Sequence, residues 1–130
     1  MIEVKNVTKT YFINRKTKCT AIDDVSLVLP DSGMVFIIGK SGSGKSTLLN
    51  LIGGLDNTTS GTILADGNEI TTFDQRLLTK YRSSYIGFIF QDYHVLNSFT
   101  VLQNINLALD ITNSSDDQKV EEILKVVDLT

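Results

Sequence analysis

Gly39-Lys40-Ser41-Gly42-Ser43-Gly44-Lys45-Ser46-Thr47 is the stretch of this sequence that decides the fold. It matches G-x-x-x-x-G-K-[ST], the pattern of a phosphate-binding loop or P-loop. Five apolar residues precede it at positions 34–38, and their lack of alternation predicts a parallel strand buried on both faces. After the loop, the following apolar residues recur at helical spacing, before a glycine pair that can end a helix: Leu48, Leu51, Ile52 and Leu55, then Gly53-Gly54. Strand, glycine loop and helix together are the context that the motif requires.

The residue types in the loop suit a polyphosphate ligand. Glycines lack a Cβ atom, so the backbone can curl until successive N–H groups point at an anion. A helix beginning near Lys45 adds unpaired N–H groups and the positive end of its dipole. Lys45 itself supplies a cation for β- and γ-phosphates, and the Ser46 hydroxyl can ligate Mg²⁺. A dinucleotide fingerprint is excluded because Thr47 stands where its third glycine would be. We therefore predict a mononucleotide site at residues 39–47.

Composition sets the bounds for everything else. A length of 130 residues, with 42% apolar and 21% charged residues, suits one ordinary globular domain. The net charge of −3 gives no overall field that would favour nucleic acid or an acidic membrane. The lone Cys19 excludes an internal disulfide, and no apolar run approaches the length of a membrane span. We expect a soluble chain whose role at a membrane, if any, comes through a partner.

Local patterns predict the remaining elements. Alternation at Ile2 and Val4 and again at Val25-Leu27-Leu29 indicates half-buried N-terminal strands. Asp66-Gly67 between two apolar runs predicts a two-residue hairpin. A short helix is expected over about 74–82, and 86–90 reads as a second buried strand that ends at Gln91-Asp92. Two capping boxes open helices near the end of the sequence: Thr100-x-x-Gln103 and Ser115-x-x-Gln118.

Tyr11 and Phe12 end the first predicted strand and would face opposite sides of it. Core packing accounts for one of them. The other could offer a flat face to a purine base. The residues alone favour the core interpretation for Tyr11 but leave both open.

Several motifs, in one order along the chain, resemble the ATP-binding domain of ABC transporters. They are SGSGKSTLLNLIGGLD, then Ser60-Gly61-Thr62-Ile63, then Ile86-Gly87-Phe88-Ile89-Phe90-Gln91, then Thr100-Val101-Leu102-Gln103-Asn104-Ile105. Within that family, the sequence looks like the branch of lipoprotein-release and macrolide-export ATPases. The resemblance implies an α/β fold with a P-loop NTPase core, an N-terminal antiparallel β subdomain and the start of an α-helical subdomain.

The same resemblance assigns roles to single residues. Tyr11 becomes the aromatic that stacks on adenine, through its ring face rather than its hydroxyl. Gln91 looks like the Q-loop glutamine, which bridges Mg²⁺ and the attacking water beside the permease contact. Lys45 and Gln91 are then catalytic, and Ser46 and Gln91 are magnesium ligands. ATP and Mg²⁺ are the expected cofactors, and a permease subunit or fused permease domain and a second ATPase domain are the expected partners. The resemblance places the protein in the cytoplasm, at the inner face of the cell membrane.

Three family features are absent from the sequence. There is no Leu-Ser-Gly-Gly-Gln signature, and no apolar strand closing in Asp-Glu, the Walker B motif. His94 is the only histidine, and it lies too near Gln91 to be the switch histidine, so we interpret it as a surface residue. We expect residues 1–130 to be the N-terminal, truncated part of one ATP-binding domain.

Other function classes remain as alternatives at this point. A soluble ABC-type ATPase acting on ribosomes or DNA would share the P-loop, but we expect a permease-facing Q-loop region only in a transporter. A GTPase would need an Asn-Lys-x-Asp motif, which the sequence lacks. A nucleotide sensor without enzymatic activity is compatible with the sequence. We expect no nucleic-acid partner.

Overall fold

A computed structural model describes residues 1–14, 17–111 and 117–129. The chain divides into two compact units, Met1–Gly87 and Phe88–Thr130. The elements of the first unit are, in chain order, β1 (Ile2–Phe12), β2 (Lys18–Leu29), α1 (Lys45–Ile52), β3 (Ser60–Ala65), β4 (Asn68–Glu69), a 3₁₀ turn (Ile70–Thr72) and α2 (Gln75–Tyr85). The second unit contains α3 (Val101–Ile111) and α4 (Asp117–Val126).

The strands of the first unit form one antiparallel sheet in the order β2-β1-β3-β4. β1 is the central strand, with Ile2 opposite Leu29 on one side and opposite Ala65 on the other. This confirms the N-terminal strands that the alternation predicted and the antiparallel arrangement that the resemblance implied. The pairing shifts register after Val4, and Val4 and Val7 are both buried, at 2% and 0% exposure.

The core of the first unit lies between this sheet and α1. Val4, Val7 and Ile63 come from the sheet. The predicted apolar face of α1 meets them through Leu48, Leu51 and Ile52. Leu55 was expected on the same face but is 45% exposed, because α1 ends before it at the Gly53 cap. Burial of this one face fixes the helix, and with it the loop that precedes the helix.

The hairpin and the helix after it follow their local signals. Asp66 and Gly67 take φ values of 47° and 77°, the left-handed pair that a two-residue hairpin turn requires. Asp74 caps α2, since its side chain accepts a 2.8 Å hydrogen bond from the backbone N–H of Leu77. The helix runs three residues beyond the predicted end, to Tyr85.

The two predicted buried strands, 34–38 and 86–90, do not form, and in this respect the prediction is wrong. Within the described ranges, residues 34–38 and 86–90 pair with no other strand. Most of their side chains are exposed, including Met34 at 78%, Ile38 at 91% and Ile89 fully. Only Ile37 and Ile86 pack against the core. A parallel strand is stable only with hydrogen-bonded neighbours, and no neighbour is provided by the part of the chain described.

The second unit is helical. The capping box before α3 is confirmed: the N–H of Thr100 donates to Oε1 of Gln103 at 2.8 Å, and the N–H of Gln103 donates to Oγ1 of Thr100 at 3.2 Å. The second box lies partly outside the described residues, at Ser115. On the predicted face of α4, Val120 is buried but Ile123 and Val127 are more than half exposed. Among the helices of the described ranges, none has the length and apolar character needed to cross a membrane.

Candidate nucleotide-binding site

The glycine loop curls tightly just before α1. Gly42 and Gly44 have φ values of 76° and 87°, which residues with a Cβ atom rarely adopt. Gly44 is also the N-cap of α1, and its carbonyl oxygen accepts the first helical hydrogen bond from Leu48 at 2.9 Å. A Cβ atom on Gly44 would lie 2.3 Å from the carbonyl oxygen of Ala21 in β2. The loop is therefore packed against the sheet at a point where only glycine fits.

Lys45 reaches back across the loop that it follows. Its Nζ atom donates to the carbonyl oxygens of Gly39 at 2.9 Å and Lys40 at 2.7 Å, with Oγ of Ser43 further away at 3.4 Å. A second link crosses the loop, from the N–H of Ser43 to the carbonyl of Lys40 at 3.2 Å. The ammonium group thus closes the loop and brings a full positive charge to the place where the helix N–H groups begin.

The other loop residues surround this charge in an open setting. Gly39, Lys40, Ser41, Gly42 and Ser43 are all exposed, so a ligand can approach the curled backbone. Ser46 is exposed in the first turn of α1, and Thr47 is half-buried beside it. The structure brings the whole predicted loop, 39–47, to one end of one helix.

The donor set fits Mg²⁺ only as a partner of bound phosphates. The Ser46 hydroxyl is a hard oxygen ligand of the kind that Mg²⁺ prefers. Within the described residues, no cluster of three or more His, Cys, Asp or Glu side chains could hold a metal ion. A site with one protein hydroxyl is typical of Mg²⁺ that takes most of its remaining ligands from substrate phosphates and water.

Tyr11 is not part of the core, so the interpretation favoured by the residues alone is wrong. Its side chain is 39% exposed, and that of Phe12 is 75% exposed, because both lie where the β1–β2 hairpin extends past the core. The hydroxyl of Tyr11 donates to Oδ2 of Asp56 at 2.8 Å, and the side chain of Thr47, within the loop motif, lies close enough to affect the pKa of the phenol. The hydroxyl therefore anchors the ring, and stacking of the ring face on a base stays a prediction.

Lys9 forms a small cluster with the side chains of Tyr11 and Asp56. Its Nζ atom lies 2.6 Å from Oδ1 of Asp56, 2.6 Å from the carbonyl oxygen of Asn57, and 4.8 Å from the centre of the Tyr11 ring. Sequence reasoning missed both Lys9 and Asp56. The spacing of Lys9 could have indicated its position, because residues two apart in a strand lie on the same face, and Lys9 is two residues before Tyr11. Asp56 had none, because it lies 45 residues from Tyr11 along the chain.

The contacts within the cluster fix the protonation states of Asp56 and Tyr11. Partial burial acts to raise the pKa of the Asp56 carboxyl, but hydrogen bonds from Lys9, from Tyr11 and from the Asn57 N–H outweigh it and lower the pKa below the usual 3.8. Burial raises the pKa of the Tyr11 phenol, and the neighbouring Asp56 raises it further, against a smaller opposite effect of Thr47. At neutral pH, Asp56 is an anion and Tyr11 a neutral donor.

Gln91 and His94 lie in the second unit. Gln91 is exposed directly after the unpaired segment 86–90, and its role at a nucleotide stays a prediction. His94 is exposed, as expected of a surface residue; its Nδ1 atom lies 2.5 Å from the carbonyl oxygen of Asp92, and its ring packs on Phe90 with 4.7 Å between centres.

Comparison with protein families identifies the chain. The family model described as ABC transporter matches residues 22–130. This chain belongs to the ABC transporter family. The resemblance noted from the sequence is thereby confirmed.

Curated members of the ABC transporter family align with almost the entire chain. It is 41% identical over 132 residues to the lipoprotein-releasing system ATP-binding protein LolD of Buchnera aphidicola subsp. Schizaphis graminum, with 99% of this chain and 57% of that protein covered. It is 40% identical to the methionine import ATP-binding protein MetN of Haemophilus ducreyi, covering 100% of this chain and 38% of the relative. A putative ABC transporter ATP-binding protein of Mycoplasma pneumoniae, the MG065 homolog, is 37% identical, with 98% and 27% covered.

Two solved structures of an ABC cassette show the same fold. The chain matches the ATP-binding cassette MJ0796 in a dimeric post-hydrolysis state bound to ADP and Pi with a TM-score of 0.82 and 39% identity, over 89% of this chain and 50% of that one. It matches a second dimeric structure of MJ0796, described as a bacterial ABC transporter cassette, with a TM-score of 0.80 and 41% identity, over 86% and 48%. The predicted α/β P-loop NTPase fold is confirmed. The chain spans about a quarter to just over half the length of the relatives that it matches.

Proposed function

We propose that this chain carries the phosphate-binding half of an ATP-binding subunit that powers an ABC-type membrane complex. Residues 1–130 are the N-terminal part of one ATP-binding domain. They bind Mg-ATP at the glycine loop, and the remaining catalytic motifs, namely the signature, Walker B and the switch histidine, belong to sequence beyond them.

One observation carries the proposal: the Lys45 ammonium lies across the curled loop, 2.9 and 2.7 Å from the carbonyl oxygens of Gly39 and Lys40. These contacts hold the ammonium against the loop, so the cation lies where the curled backbone leads into the first turn of α1. A concave arrangement of N–H groups at a helix N-terminus binds phosphates. The loop therefore suits the β- and γ-phosphates of a nucleoside triphosphate.

The loop side chains and Tyr11 would contact different parts of the nucleotide. Lys45 neutralises phosphate charge, and the Ser46 hydroxyl would be a ligand of Mg²⁺. The ion, when bound, neutralises charge on the phosphate oxygens. Tyr11 offers its ring to the adenine base. The Tyr11 hydroxyl is bonded to Asp56, in the segment that follows the helix opened by the loop, so the base and phosphate contacts would start from connected parts of one unit.

The partners follow from the relatives. The LolD relative is named as part of a lipoprotein-releasing system and the MetN relative as a methionine import protein. The cassette neighbours are dimers. We propose that the complete ATP-binding domain forms an ATP-dependent homodimer and couples through the Gln91 region to a permease subunit or fused permease domain. This places the protein at the cytoplasmic face of the membrane.

Titration with fluorescently labelled Mg-ATP tests the proposal. Lys45→Ala should weaken binding by one to two orders of magnitude, since charge-assisted hydrogen bonds are worth about 1.5–3 kcal/mol. Lys80→Ala, which removes an exposed lysine from α2, is the matched control and should leave the dissociation constant unchanged. Equal dissociation constants for Lys45→Ala and the wild type would remove Lys45 from the phosphate site.

A further inference from the structure

The cluster of Lys9, Tyr11 and Asp56 joins two parts of the first unit that are far apart in sequence. Lys9 and Tyr11 lie on β1, whereas Asp56 lies in the segment after α1. That segment is held to the helix by hydrogen bonds from the N–H groups of Leu55 and Asp56 to the carbonyl oxygen of Asn50, at 2.9 and 3.3 Å. The Asp56 carboxylate is thus fixed by the helix that the glycine loop opens.

Each oxygen of the carboxylate has its own partner on β1. Oδ1 accepts from Lys9 Nζ at 2.6 Å and from the N–H of Asn57 at 2.7 Å. Oδ2 accepts from the Tyr11 hydroxyl at 2.8 Å. An ionised acceptor makes these bonds shorter and stronger than bonds between neutral groups. The Lys9 side chain is only 12% exposed and that of Asp56 29%, so solvent screens the pair weakly.

Together these contacts fix the Tyr11 ring on two sides. Asp56 holds its hydroxyl edge, and the Lys9 ammonium lies 4.8 Å from the ring centre, on one face. Tyr11 is nevertheless 39% exposed, so it remains accessible to a ligand. A planar base can stack there without first having to order the side chain.

We propose that Asp56 and Lys9 are positioning residues for the nucleotide base, because they hold the Tyr11 ring in place beside the glycine loop before ATP arrives. This inference rests on the proposed function, since it assumes that ATP binds at the loop and that its base stacks on Tyr11. Neither Asp56 nor Lys9 needs to touch the nucleotide. Their contribution is the side-chain ordering that binding then no longer has to supply.

Comparing two ligands separates positioning of the base from support of the loop. Mg-ATP uses both the loop and Tyr11, whereas inorganic tripolyphosphate with Mg²⁺ has the phosphates without a base. Asp56→Ala should weaken binding of Mg-ATP by about two- to tenfold, the factor that corresponds to ordering one side chain, and leave tripolyphosphate binding unchanged. Lys9→Met, which keeps most of the aliphatic stem, should act in the same direction. Asp23→Ala, at an exposed carboxylate of β2, is the matched control for lost charge.

Further variants keep the test decisive. Asp56→Asn retains an acceptor for the Tyr11 hydroxyl but loses the ion pair, so it should restore part of the ATP affinity. In a Tyr11→Ala background, Asp56→Ala should cause no further loss, because its effect acts through the ring. If Asp56→Ala does not fold by circular dichroism, Asp56→Asn and Lys9→Met carry the comparison.

The outcomes distinguish this inference from the function on which it rests. Equal losses for ATP and tripolyphosphate would mean that Asp56 supports the loop, and would overturn the positioning role. Unchanged ATP binding in Asp56→Ala and Lys9→Met, together with weaker ATP binding in Tyr11→Ala, would overturn it as well. Unchanged ATP binding in Tyr11→Ala would instead show that the base does not stack on Tyr11. Unchanged ATP binding in Lys45→Ala would overturn the phosphate site itself.

Discussion

The hydroxyl of Tyr81 donates a 3.0 Å hydrogen bond to the carbonyl oxygen of Ile52, the last residue of α1. Carbonyl groups at the C-terminus of a helix lack partners within the helix. The Ile52 carbonyl instead accepts from Tyr81, a residue of α2 that is only 5% exposed. The neighbouring Arg82 donates from Nη1 to the carbonyl oxygen of Gly54 at 2.7 Å. The helix that begins at the glycine loop is therefore closed at its other end by α2.

Tyr81→Phe should lower the free energy of unfolding by about 1–3 kcal/mol, because a buried carbonyl group loses its partner while the ring packing is kept. Urea denaturation followed by circular dichroism measures this. Tyr93→Phe, at a ring 90% exposed in the second unit, is the control and should have no effect. Equal unfolding midpoints for Tyr81→Phe and the wild type would show that the bond contributes nothing to stability.

Gly44→Ala should destabilise the fold more than Gly67→Ala. Both glycines have positive φ, 87° and 77°, so both substitutions carry the backbone strain of about 1–2 kcal/mol. A Cβ atom at Gly67 meets nothing within 4 Å, whereas one at Gly44 lies 2.3 Å from the Ala21 carbonyl oxygen and 2.9 Å from Ile22. The difference between the two unfolding free energies isolates the packing of the loop on β2, and equal values would contradict it.

Asp56 should contribute to stability above its usual pKa and lose that contribution in acid. Its pKa is lowered in the fold from 3.8, so the folded state binds the proton less readily than the unfolded chain. The stabilisation is fully present above about pH 4 and fades as the pH falls through the lowered value. The stability difference between wild type and Asp56→Asn should then shrink on going from about pH 7 to about pH 3 in urea denaturation. A difference that does not change with pH would mean that the ionised carboxylate is not the stabilising form.

Residues 1–130 by themselves should bind Mg-ATP weakly and release no phosphate above a Lys45→Ala control. Phosphoryl transfer depends on positioning and electrostatics, and removing part of a set of groups that act as a unit costs nearly as much as removing all of it. A protein extended to include the signature, Walker B and switch-histidine motifs should hydrolyse ATP, with cooperative dependence on ATP. Steady-state hydrolysis by the 130-residue chain would show that the base lies within it, with Asp92 and Asp110 the first residues to substitute.

Features set by neighbouring residues could be predicted from the sequence. The Asp66-Gly67 turn depends on two adjacent φ values, and the capping box on Thr100 and Gln103, three residues apart. The apolar face of α1 is likewise a short-range pattern. In each case the residues that decide the structure are within a few positions of one another, so the pattern alone was sufficient.

Features that depend on partners distant in the chain could not be predicted from the sequence. The apolar runs 34–38 and 86–90 have the composition of buried strands, but a strand needs neighbours that composition does not provide. The role of the Tyr11 hydroxyl depends on Asp56, which reaches it only because the segment after α1 is brought beside β1 by the packing of that helix. No local pattern connects these positions, and the role of Tyr11 at the base, which comes from the family resemblance, stays a prediction.

The exposed segment 34–38 is also expected to affect the solubility of residues 1–130. Its five residues are apolar, uncharged and free of proline, and Met34, Phe36 and Ile38 are each more than three-quarters exposed. Unpaired segments of this kind align edge to edge between molecules, which makes them the starting points of aggregates. We therefore expect this stretch, which ends just before the glycine loop, to limit the solubility of residues 1–130, and a charged residue in place of Phe36 should raise that solubility while leaving the loop sequence intact.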